Sequence, residues 1–559
     1  MRIGRRRFLY SVAGGAASLL LPACERRDAD KYADALYDIP PFGNLSLLHL
    51  SDSHGQLSPL YLRESAWRVN ADGGVVNADT ALKDIPLRSD GAMAYALSAA
   101  DFVGNARRHG KVGGYAYLAT LIKSLRDQRP GRSLLLDGGS SWQGSALALW
   151  SEGEDMLGAS KLLGVDAMTA HGEFALGADA LKHLVESELK GTAFLAANVH
   201  DEVWGTGPFK GSTVREVNGI RVGIVGLAYP HMRAAHPKSL CPDWHFDWQE
   251  AQVQKRVDDL RAQKCQVVVL LSHAGLNADL KLAGRVTGID VVLSGHSHDP
   301  LPIPASINNA GGRTLVVSSG AHGKFLSVLD LKIGHGKLRD FRYKLVPVIT
   351  DLIAPDARMA AYIENRRAPF KAQLEEPLAT TQSLLYRRDP FGGSMDQLIT
   401  DAMLATQEVD IALSPGYRSG ESVLPGGTIT TEIVYSHTAI TYPACDVTER
   451  TGEEIKNMLE HFADAAFNKD PYLQHGYDMV RAGGLRYRLD IGREAGQRIS
   501  ELALRDGKAL NAEKVYRVAS WGLGEPRDGR PIWEVVAEYL RAQREIKIDT
   551  FSARPVTKR

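Results

Sequence analysis

Cysteine is scarce in this chain, which has four cysteines in 559 residues. Cys241, Cys265 and Cys445 stand apart from one another, and none belongs to a metal-ligand motif with histidine or aspartate. So few thiols exclude a disulfide framework, and we expect these three to be buried apolar residues. The fourth, Cys24, belongs to the N-terminal leader.

The chain also lacks an excess of charge, because 66 Lys and Arg residues balance 66 Asp and Glu residues. No basic surplus is present to attract nucleic acid, so we expect no nucleic-acid partner. No apolar run reaches the length that spans a membrane. The hydrophobic content of 44% and charged content of 24% are globular values, and 559 residues exceed one ordinary core. We therefore expect two or more domains.

The N-terminus has the order of an export signal. Arg5, Arg6 and Arg7 precede a Gly- and Ala-rich apolar stretch over residues 12–21. This order predicts a twin-arginine signal over residues 1–24 and a periplasmic protein. Leu-Pro-Ala-Cys24 resembles a lipoprotein cleavage box, which makes Cys24 a candidate lipid anchor. The proline is unusual in such a box, so export with or without lipidation stays open.

The rest of the chain divides by pattern. A polar lead covers residues 25–44, and strand-like runs then alternate with helical patterns over residues 45–350. This alternation predicts an α/β domain with parallel or mixed sheets between helices. Residues 351–379, rich in Ala, Glu, Lys and Arg, predict a helical linker, and residues 380–559 predict a second domain with its own strands and helices.

Candidate metal ligands follow several of the predicted strands. Runs of apolar residues lead into Asp52-Ser-His54, into His273 and into His296-Ser-His298. Alternate residues of extended chain point the same way, so paired ligands can reach one point. Such positions are expected for a binding site in an α/β domain, because ligands bind beyond the carboxyl ends of the parallel strands. With His171, six donors are available.

The chemistry of these donors indicates hydrolysis. Mixed His and Asp ligation suits divalent ions such as Mn, Fe or Zn. Two such ions about 3.5–4 Å apart can hold a hydroxide and clamp a tetrahedral oxyanion ester. The donor set therefore predicts hydrolysis of a phospho or sulfo group.

The order of these motifs resembles the 5′-nucleotidase branch of the metallophosphoesterases. The resemblance runs through Asp52-x-His54, Gly138-Gly139-x-x-Trp142-Gln-Gly144, His171-Gly-Glu173, Ala197-Asn198-Val199, Ser272-His273-x-Gly275 and Gly295-His296-x-His298. It implies a four-layer (α/β-β/α) metal domain, a linking helix and a C-terminal α+β substrate domain, with the active site between the two domains.

Finer features resemble the SoxB family of thiosulfohydrolases more closely. One is His171, at a position where nucleotidases carry Asn, and the others are the stretches around Tyr115, Arg418, His437 and Arg481. This resemblance implies hydrolysis of a cysteine S-thiosulfonate on a SoxYZ-like sulfur-carrier protein, with release of sulfate during thiosulfate oxidation. It further implies two manganese ions and a periplasmic location. We also expect the protein to be a monomer.

The resemblance also implies roles for individual residues. Asp52, His54 and His298 would hold one ion, and His171, His273 and His296 would hold the other, with Ser140 between them. His171 counts among the catalytic residues as well as the ligands. Arg418 and Arg481 would grip the oxyanion, because the planar guanidinium matches a sulfonate or phosphate. Glu173 and Asn198 would support the ligands from behind.

Two departures from the resemblance leave alternatives open. The bridging aspartate of the family is replaced by Ser140, although two dications about 3.5 Å apart repel by on the order of tens of kcal/mol at an effective dielectric constant of about 20. Gly172 stands where SoxB proteins carry Trp, and Gly172 and Ala175 occupy the places of the phosphatase helper residues. An exported 5′-nucleotidase or other phosphoesterase, and a weakly active or non-catalytic SoxB homologue, are the alternative functions.

Overall fold

The computed structural model describes residues 36–82, 91–202, 207–248, 250–476, 478–525 and 527–548. The predicted leader of residues 1–24, with Cys24, lies outside these ranges, as do residues 25–35 of the predicted polar lead. Among the helices of the described ranges, none combines the length and apolarity needed to cross a membrane.

Two six-stranded sheets form the centre of the N-terminal part. In spatial order the first consists of Lys337–Pro347, Phe325–Gly334, Leu45–Leu50, Ser133–Asp137, Ala167–Met168 and Ala193–Phe194. The second consists of Ala305–Asn309, Gly312–Ser318, Val291–Ser294, Val267–Ser272, Ile220–Leu227 and Ser212–Val217. Their central strands run parallel, and antiparallel strands complete the edges. Parallel strands buried on both faces explain the continuous apolar runs of the sequence.

The two sheets face each other across one apolar core. Leu47 and Leu134 of the first sheet belong to the same buried cluster as Val222 and Val269 of the second. Helices cover the outer faces, mainly Tyr115–Gln128 and Glu154–Leu163 on one side and Glu250–Ala262 and Leu276–Arg285 on the other. The order helix, sheet, sheet, helix confirms the predicted four-layer fold.

Shorter elements complete this part. The remaining α-helices are Ala92–Leu97, Phe102–His109, Ala146–Trp150, Ala178–His183 and Met232–Ala235. Short 3₁₀ or π turns cover Ala78–Leu82, Gly172–Leu176, Leu184–Glu188, Lys238–Leu240 and Thr350–Leu352. Two small ribbons pair Trp67–Val69 with Val75–Asn77 and Val199–Asp201 with Trp244–Phe246.

Helices Ala357–Arg367 and Lys371–Leu374, joined by the 3₁₀ turn Ala368–Phe370, lie in the predicted linker. Beyond them, a five-stranded sheet contains Arg481–Gly483, Ile411–Ser414, Val515–Trp521, Ala444–Thr451 and Arg530–Pro531, in that order. A three-stranded sheet contains Thr428–Thr430, Pro377–Thr381 and Glu545–Ile546, and Leu485–Leu489 pairs with Ile499–Leu504. The helices are Ser394–Gln407, Thr431–Thr438, Gly452–Ala466 and Ile532–Gln543, with a 3₁₀ turn at Pro471–Leu473. The exact domain boundaries stay predictions.

Cys241, Cys265 and Cys445 are free and buried, which confirms the expectation from the sequence. Burial raises the pKa of the Cys241 and Cys445 thiols to about 12, so they remain protonated at neutral pH.

Candidate metal centre

The carboxyl ends of parallel strands from both sheets meet at one edge. Asp52 and His54 follow Leu45–Leu50, and His171 follows Ala167–Met168, both in the first sheet. In the second sheet, His273 directly follows Val267–Ser272, and His296 and His298 follow Val291–Ser294. Because both sheets end here, ligands distant in sequence converge on one point.

The six donors form two groups of three. One contains His171, His273 and His296, and the other contains Asp52, His54 and His298. Within each group, one ligand atom per residue lies within 4.8 Å of the others. These are the two ligand sets that the sequence analysis assigned to the two ions.

Asp52 lies at the centre of both groups. Its Oδ1 atom is 3.4 Å from Nε2 of His273 and 3.4 Å from Nε2 of His298, and it accepts no hydrogen bond within the described residues. Its Oδ2 atom accepts hydrogen bonds from Ser51 Oγ at 2.5 Å and from the backbone N–H of His296 at 2.9 Å. A buried carboxylate oxygen without a donor, surrounded by imidazole nitrogens, fits a cation.

The histidines present ring nitrogens that are suited to bind a metal ion. The Nε2 atoms of His54 and His298 lie 2.9 Å apart, so they share at most one proton or face a common cation. His273 donates from Nδ1 to the carbonyl oxygen of Gly138 at 2.5 Å, which leaves Nε2 as the ligand atom. Burial, followed by the proximity of His298, lowers the pKa of His54 to about 3, so its ring is neutral at physiological pH.

Backbone conformation also marks this edge. Asp52, His54, Ser140, His296 and His298 all adopt positive φ, between 49° and 71°. Non-glycine residues seldom occupy this region, and such strain is concentrated at functional sites. The tight turns aim the side chains back across the strand ends.

Ser140 lies beside the second group, as expected from the sequence. Its Oγ atom is 3.3 Å from Nδ1 of His171. The side chain of Glu173 accepts backbone hydrogen bonds from Ser140, Ser141, Trp142 and His171, at 2.7–3.2 Å. Glu173 therefore positions the main chain of His171.

Asn198 supports the site indirectly, through the backbone of Ala228. Its amide donates to the carbonyl oxygen of Ala228 at 2.9 Å, and its oxygen accepts from the N–H of Ala228 at 2.8 Å. The next residue, Tyr229, stacks on His296 with ring centroids 4.2 Å apart. Asn198 thus holds the backbone that carries this aromatic wall.

The two predicted anion-binding arginines differ in position. A cavity of about 690 Å³ is lined by both ligand groups except His273, and also by Arg418. Arg418 donates from Nε to Asp478 at 2.7 Å and from Nη1 to the carbonyl oxygen of Ser297 at 2.9 Å. These bonds hold a guanidinium at the cavity wall.

Arg481 does not line that cavity within the described residues, which corrects the expectation that it grips the oxyanion. Its guanidinium is 4% exposed, and it donates to the carbonyl oxygens of Asp389 and Pro390 and to the side chain of Asp478. An ion pair with Asp396 at 3.1 Å completes its surroundings. Asp478 therefore links Arg418, in the cavity, to Arg481, in the core behind it.

Three residues near the site were missed in the sequence. Arg388 donates to the carbonyl oxygen of His298 and pairs with Glu64 at 2.8 Å. His322 donates its backbone N–H to the carbonyl oxygen of Asp52 and lies 5.2 Å from the ring of His54. His236 lines the cavity beside His171. Only His322 follows a strand, Gly312–Ser318, closely enough for the strand-end argument to have found it.

The comparisons with known proteins agree with this geometry. Residues 379–525 match the family of the 5′-nucleotidase C-terminal domain. The structure of the sulfate thiohydrolase SoxB from Thermus thermophilus, in complex with glycerol, is 34% identical, with a TM-score of 0.88, and the match covers 93% of this chain and 98% of that one.

More distant relatives share the fold. A 5′-nucleotidase precursor, also from Thermus thermophilus, is 23% identical with a TM-score of 0.73, covering 91% of this chain and 99% of that one. The 5′-nucleotidase of Mus musculus is 25% identical over 458 residues, which is 73% of this chain and 76% of that protein. The chain therefore belongs to the SoxB family, within the 5′-nucleotidase branch of the metallophosphoesterase superfamily, and is a hydrolase of that group.

Proposed function

We propose that this protein hydrolyses a cysteine S-thiosulfonate on a SoxYZ-like sulfur-carrier protein and releases sulfate during thiosulfate oxidation. One observation carries the proposal: two groups of metal donors and Arg418 surround one cavity, in a chain similar over nearly its whole length to a sulfate thiohydrolase. An arginine and a cationic centre that line the same cavity suit a tetrahedral oxyanion.

The residues fit two divalent ions, held by Asp52, His54 and His298 and by His171, His273 and His296. Bound there, such ions would supply an activated hydroxide and offset the charge of the oxyanion. In the proposed reaction, the oxygen of water bonds to the terminal sulfone sulfur and the adjacent S–S bond breaks. The electron pair of the broken S–S bond stays on the sulfur that remains attached to the carrier, and that group becomes a persulfide.

Arg418 orients the sulfonate in this proposal. Asp478 and the carbonyl oxygen of Ser297 fix its guanidinium, so little side-chain entropy is lost when the anion binds. Gly172, which also lines the cavity, keeps the space beside Ser140 open, because a Cβ atom at this position would lie 3.0 Å from Ser140 Oγ. An open wall suits a substrate tethered to a carrier arm.

The setting of the reaction is part of the same proposal. The proposal includes a monomer that acts in the periplasm, and the predicted twin-arginine signal, with Cys24 as a candidate lipid anchor, supports the location. Manganese is the metal to test first. Cell fractionation of the full chain and of a Cys24→Ser variant would separate a free periplasmic protein from an anchored one.

The decisive experiment is an assay of sulfate release. Purified protein, supplied with manganese, is expected to release one sulfate per thiosulfonated carrier cysteine, and His273→Ala is expected to abolish this release. His245→Ala is the control, since His245 pairs with Glu202, has a side chain that is 65% exposed, and belongs to neither ligand group.

The competing function is hydrolysis of a phosphate ester, which the 25% identity to a 5′-nucleotidase favours. Release of phosphate from AMP, without release of sulfate from the carrier, would reverse the assignment. Absence of both products, in protein with bound metal, would favour a non-catalytic homologue in which Ser140 has replaced the bridging carboxylate.

A further inference from the structure

The turn 296–298, which carries two of the candidate metal donors, is held by the C-terminal domain at each of its three residues. The Nε2 atom of His296 lies 3.1 Å from the carbonyl oxygen of His475. The carbonyl oxygens of the next two residues accept hydrogen bonds from Arg418 and Arg388, in that order. All three partners belong to the C-terminal domain, which lies outside both donor groups.

The contact with His475 determines which nitrogen of His296 faces a metal ion. A carbonyl oxygen can only accept, so Nε2 carries the proton of the neutral ring and Nδ1 presents the lone pair. The hydroxyl of Tyr229 donates to the same carbonyl oxygen, and the tyrosine ring stacks on His296 with centroids 4.2 Å apart. A ligand histidine typically donates its second ring nitrogen to a fixed acceptor. Here that acceptor belongs to the main chain of another domain.

Gly476 permits this close approach between the two domains. Its φ is 64°, and a Cβ atom at this position would lie 2.5 Å from Cδ2 and 2.7 Å from Nε2 of His296. Carbon atoms in contact lie about 3.5–4.0 Å apart, so any side chain at this position would displace the imidazole ring. The residue beside the His475 carbonyl therefore has to be glycine for His296 to keep its place.

Arg388 holds the other end of the turn. Besides the carbonyl oxygen of His298, its guanidinium contacts Glu64 at 2.8 Å and Asp299 at 3.5 Å. The side chain of Arg388 is buried, and Glu64 also pairs with the buried Lys324 at 2.9 Å. A planar guanidinium with several fixed partners has little freedom to move. The backbone of His298 is therefore held from the C-terminal domain.

His296 and His298 belong to different donor groups, so the two ends of the turn serve different ion positions. We propose that the C-terminal domain positions the ligands of both ions: the His475 carbonyl orients the ring of His296, and Arg388 holds the backbone of His298. Each contact strengthens the ion position to which its histidine belongs. Because coupling between two sites is reciprocal, bound metal also stabilises docking of the C-terminal domain. The inference rests on the metal ions of the proposed function but not on its substrate.

The test measures metal binding to the full chain after removal of metal by a chelator. The probe is zinc, which nitrogen ligands bind more tightly than manganese. His54→Ala and His273→Ala each remove a ligand from one donor group, so the ion that still binds reports the other position. Added to His54→Ala, Gly476→Ala is expected to weaken the remaining ion about tenfold or more. Added to His273→Ala, it is expected to have a far smaller effect.

Arg388→Met is expected to show the reverse pattern. Added to His273→Ala, it should weaken the remaining ion about tenfold or more, with a far smaller effect in His54→Ala. Arg388→Lys restores a cation beside Glu64 and should recover part of the loss. A merely structural role would lower the free energy of unfolding without distinguishing the two ions.

Gly507→Ala is the matched control for Gly476→Ala. Gly507 belongs to the same domain and has a φ of 88°, but a Cβ atom there would meet no described residue within 4 Å beyond its chain neighbours. This variant should leave both zinc affinities unchanged. Near-ultraviolet circular dichroism would verify that each variant is folded.

Hydrogen exchange measures the reciprocal effect of metal on domain docking. In the wild type, amides of the peptide that contains His475 should exchange more slowly with zinc bound than without it. This difference should be smaller in Gly476→Ala than in Gly507→Ala.

Equal zinc affinities in folded Gly476→Ala and Gly507→Ala would overturn the proposal. Equal losses at both ion positions in Gly476→Ala and in Arg388→Met would also overturn it. Because these measurements contain no substrate, a failure to release sulfate leaves the positioning proposal standing, and the reverse also holds.

Discussion

Ser140 presents its hydroxyl oxygen 3.3 Å from Nδ1 of His171, and its carbonyl oxygen accepts the backbone N–H of His54 at 2.9 Å, so it contacts one member of each donor group. Its φ of 56° is imposed by the turn that follows the strand Ser133–Asp137. If both donor groups hold a cation, the residue at this point determines whether a neutral or an anionic oxygen lies beside the two ions, and with it the charge balance of the centre.

Ser140→Asp should strengthen the binding of manganese. An aspartate tolerates positive φ well, and its carboxylate would offset the repulsion between two dications. We expect the affinity for the second manganese ion to rise about tenfold or more, equivalent to about 1.4 kcal/mol. Elemental analysis after equilibrium dialysis measures it. Ser140→Ala is the matched control, and equal manganese content in both variants would refute the charge argument.

Arg418→Ala should impair catalysis without unfolding the protein. A charge-assisted hydrogen bond to an anion is worth about 1.5–3 kcal/mol, so kcat/KM should fall about 10- to 100-fold. Asp478 keeps its second arginine, Arg481, at 3.1 Å, so the melting temperature should change little. Arg418→Lys should recover part of the loss. A kcat/KM equal to that of the wild type would remove Arg418 from the site.

Arg481→Ala should destabilise the protein and leave the activity of the folded fraction unchanged. Removal of the guanidinium takes one of the donors from the carbonyl oxygens of Asp389 and Pro390 and weakens the compensation of two buried carboxylates. Breaking such a buried arrangement costs about 3–5 kcal/mol of the free energy of unfolding, which urea denaturation measures. Activity should follow the folded fraction. A stable but inactive variant would restore Arg481 to the anion-binding role predicted from the sequence.

Acidification should destabilise the metal-free protein through histidines that are buried in the neutral form. Burial, followed by the charge of Arg387, lowers the pKa of His437 to about 3, below its ordinary value of 6.5. Between pH 6.5 and about 3 the unfolded chain binds a proton that the folded chain does not, so this stabilisation is complete above pH 6.5 and is lost as the pH falls.

His437→Gln tests this dependence. The variant should reduce the slope of the free energy of unfolding against pH by up to about 1.4 kcal/mol per pH unit below pH 6.5. Urea denaturation at pH 7 and pH 5 measures the slope, and exposed His245→Gln provides the control. Identical slopes for His437→Gln and the wild type would show that His437 titrates normally.

Local pattern predicted many of the elements. Apolar spacing in the sequence predicts a helix over residues 115–128 and a strand over residues 133–137, and both are present with these limits. The pattern over residues 452–462 predicts another element, and the helix found there extends to Ala466. These segments combine a clear apolar period with clear ends. The apolar run over residues 192–198 predicts one strand, and this prediction is wrong in extent, because the structure has a short strand at Ala193–Phe194 and a separate strand that begins at Val199.

The sequence by itself determined the two sets of candidate metal donors, because side chains that follow neighbouring parallel strands lie at the same edge of the sheet. Only the tertiary structure separated Arg418 from Arg481, since both follow apolar segments and the difference lies in which buried carboxylates and carbonyls surround each guanidinium. The same holds for His236, whose loop carries no local signal. Its place beside His171 arises from packing between segments distant in the chain, which residue spacing does not encode.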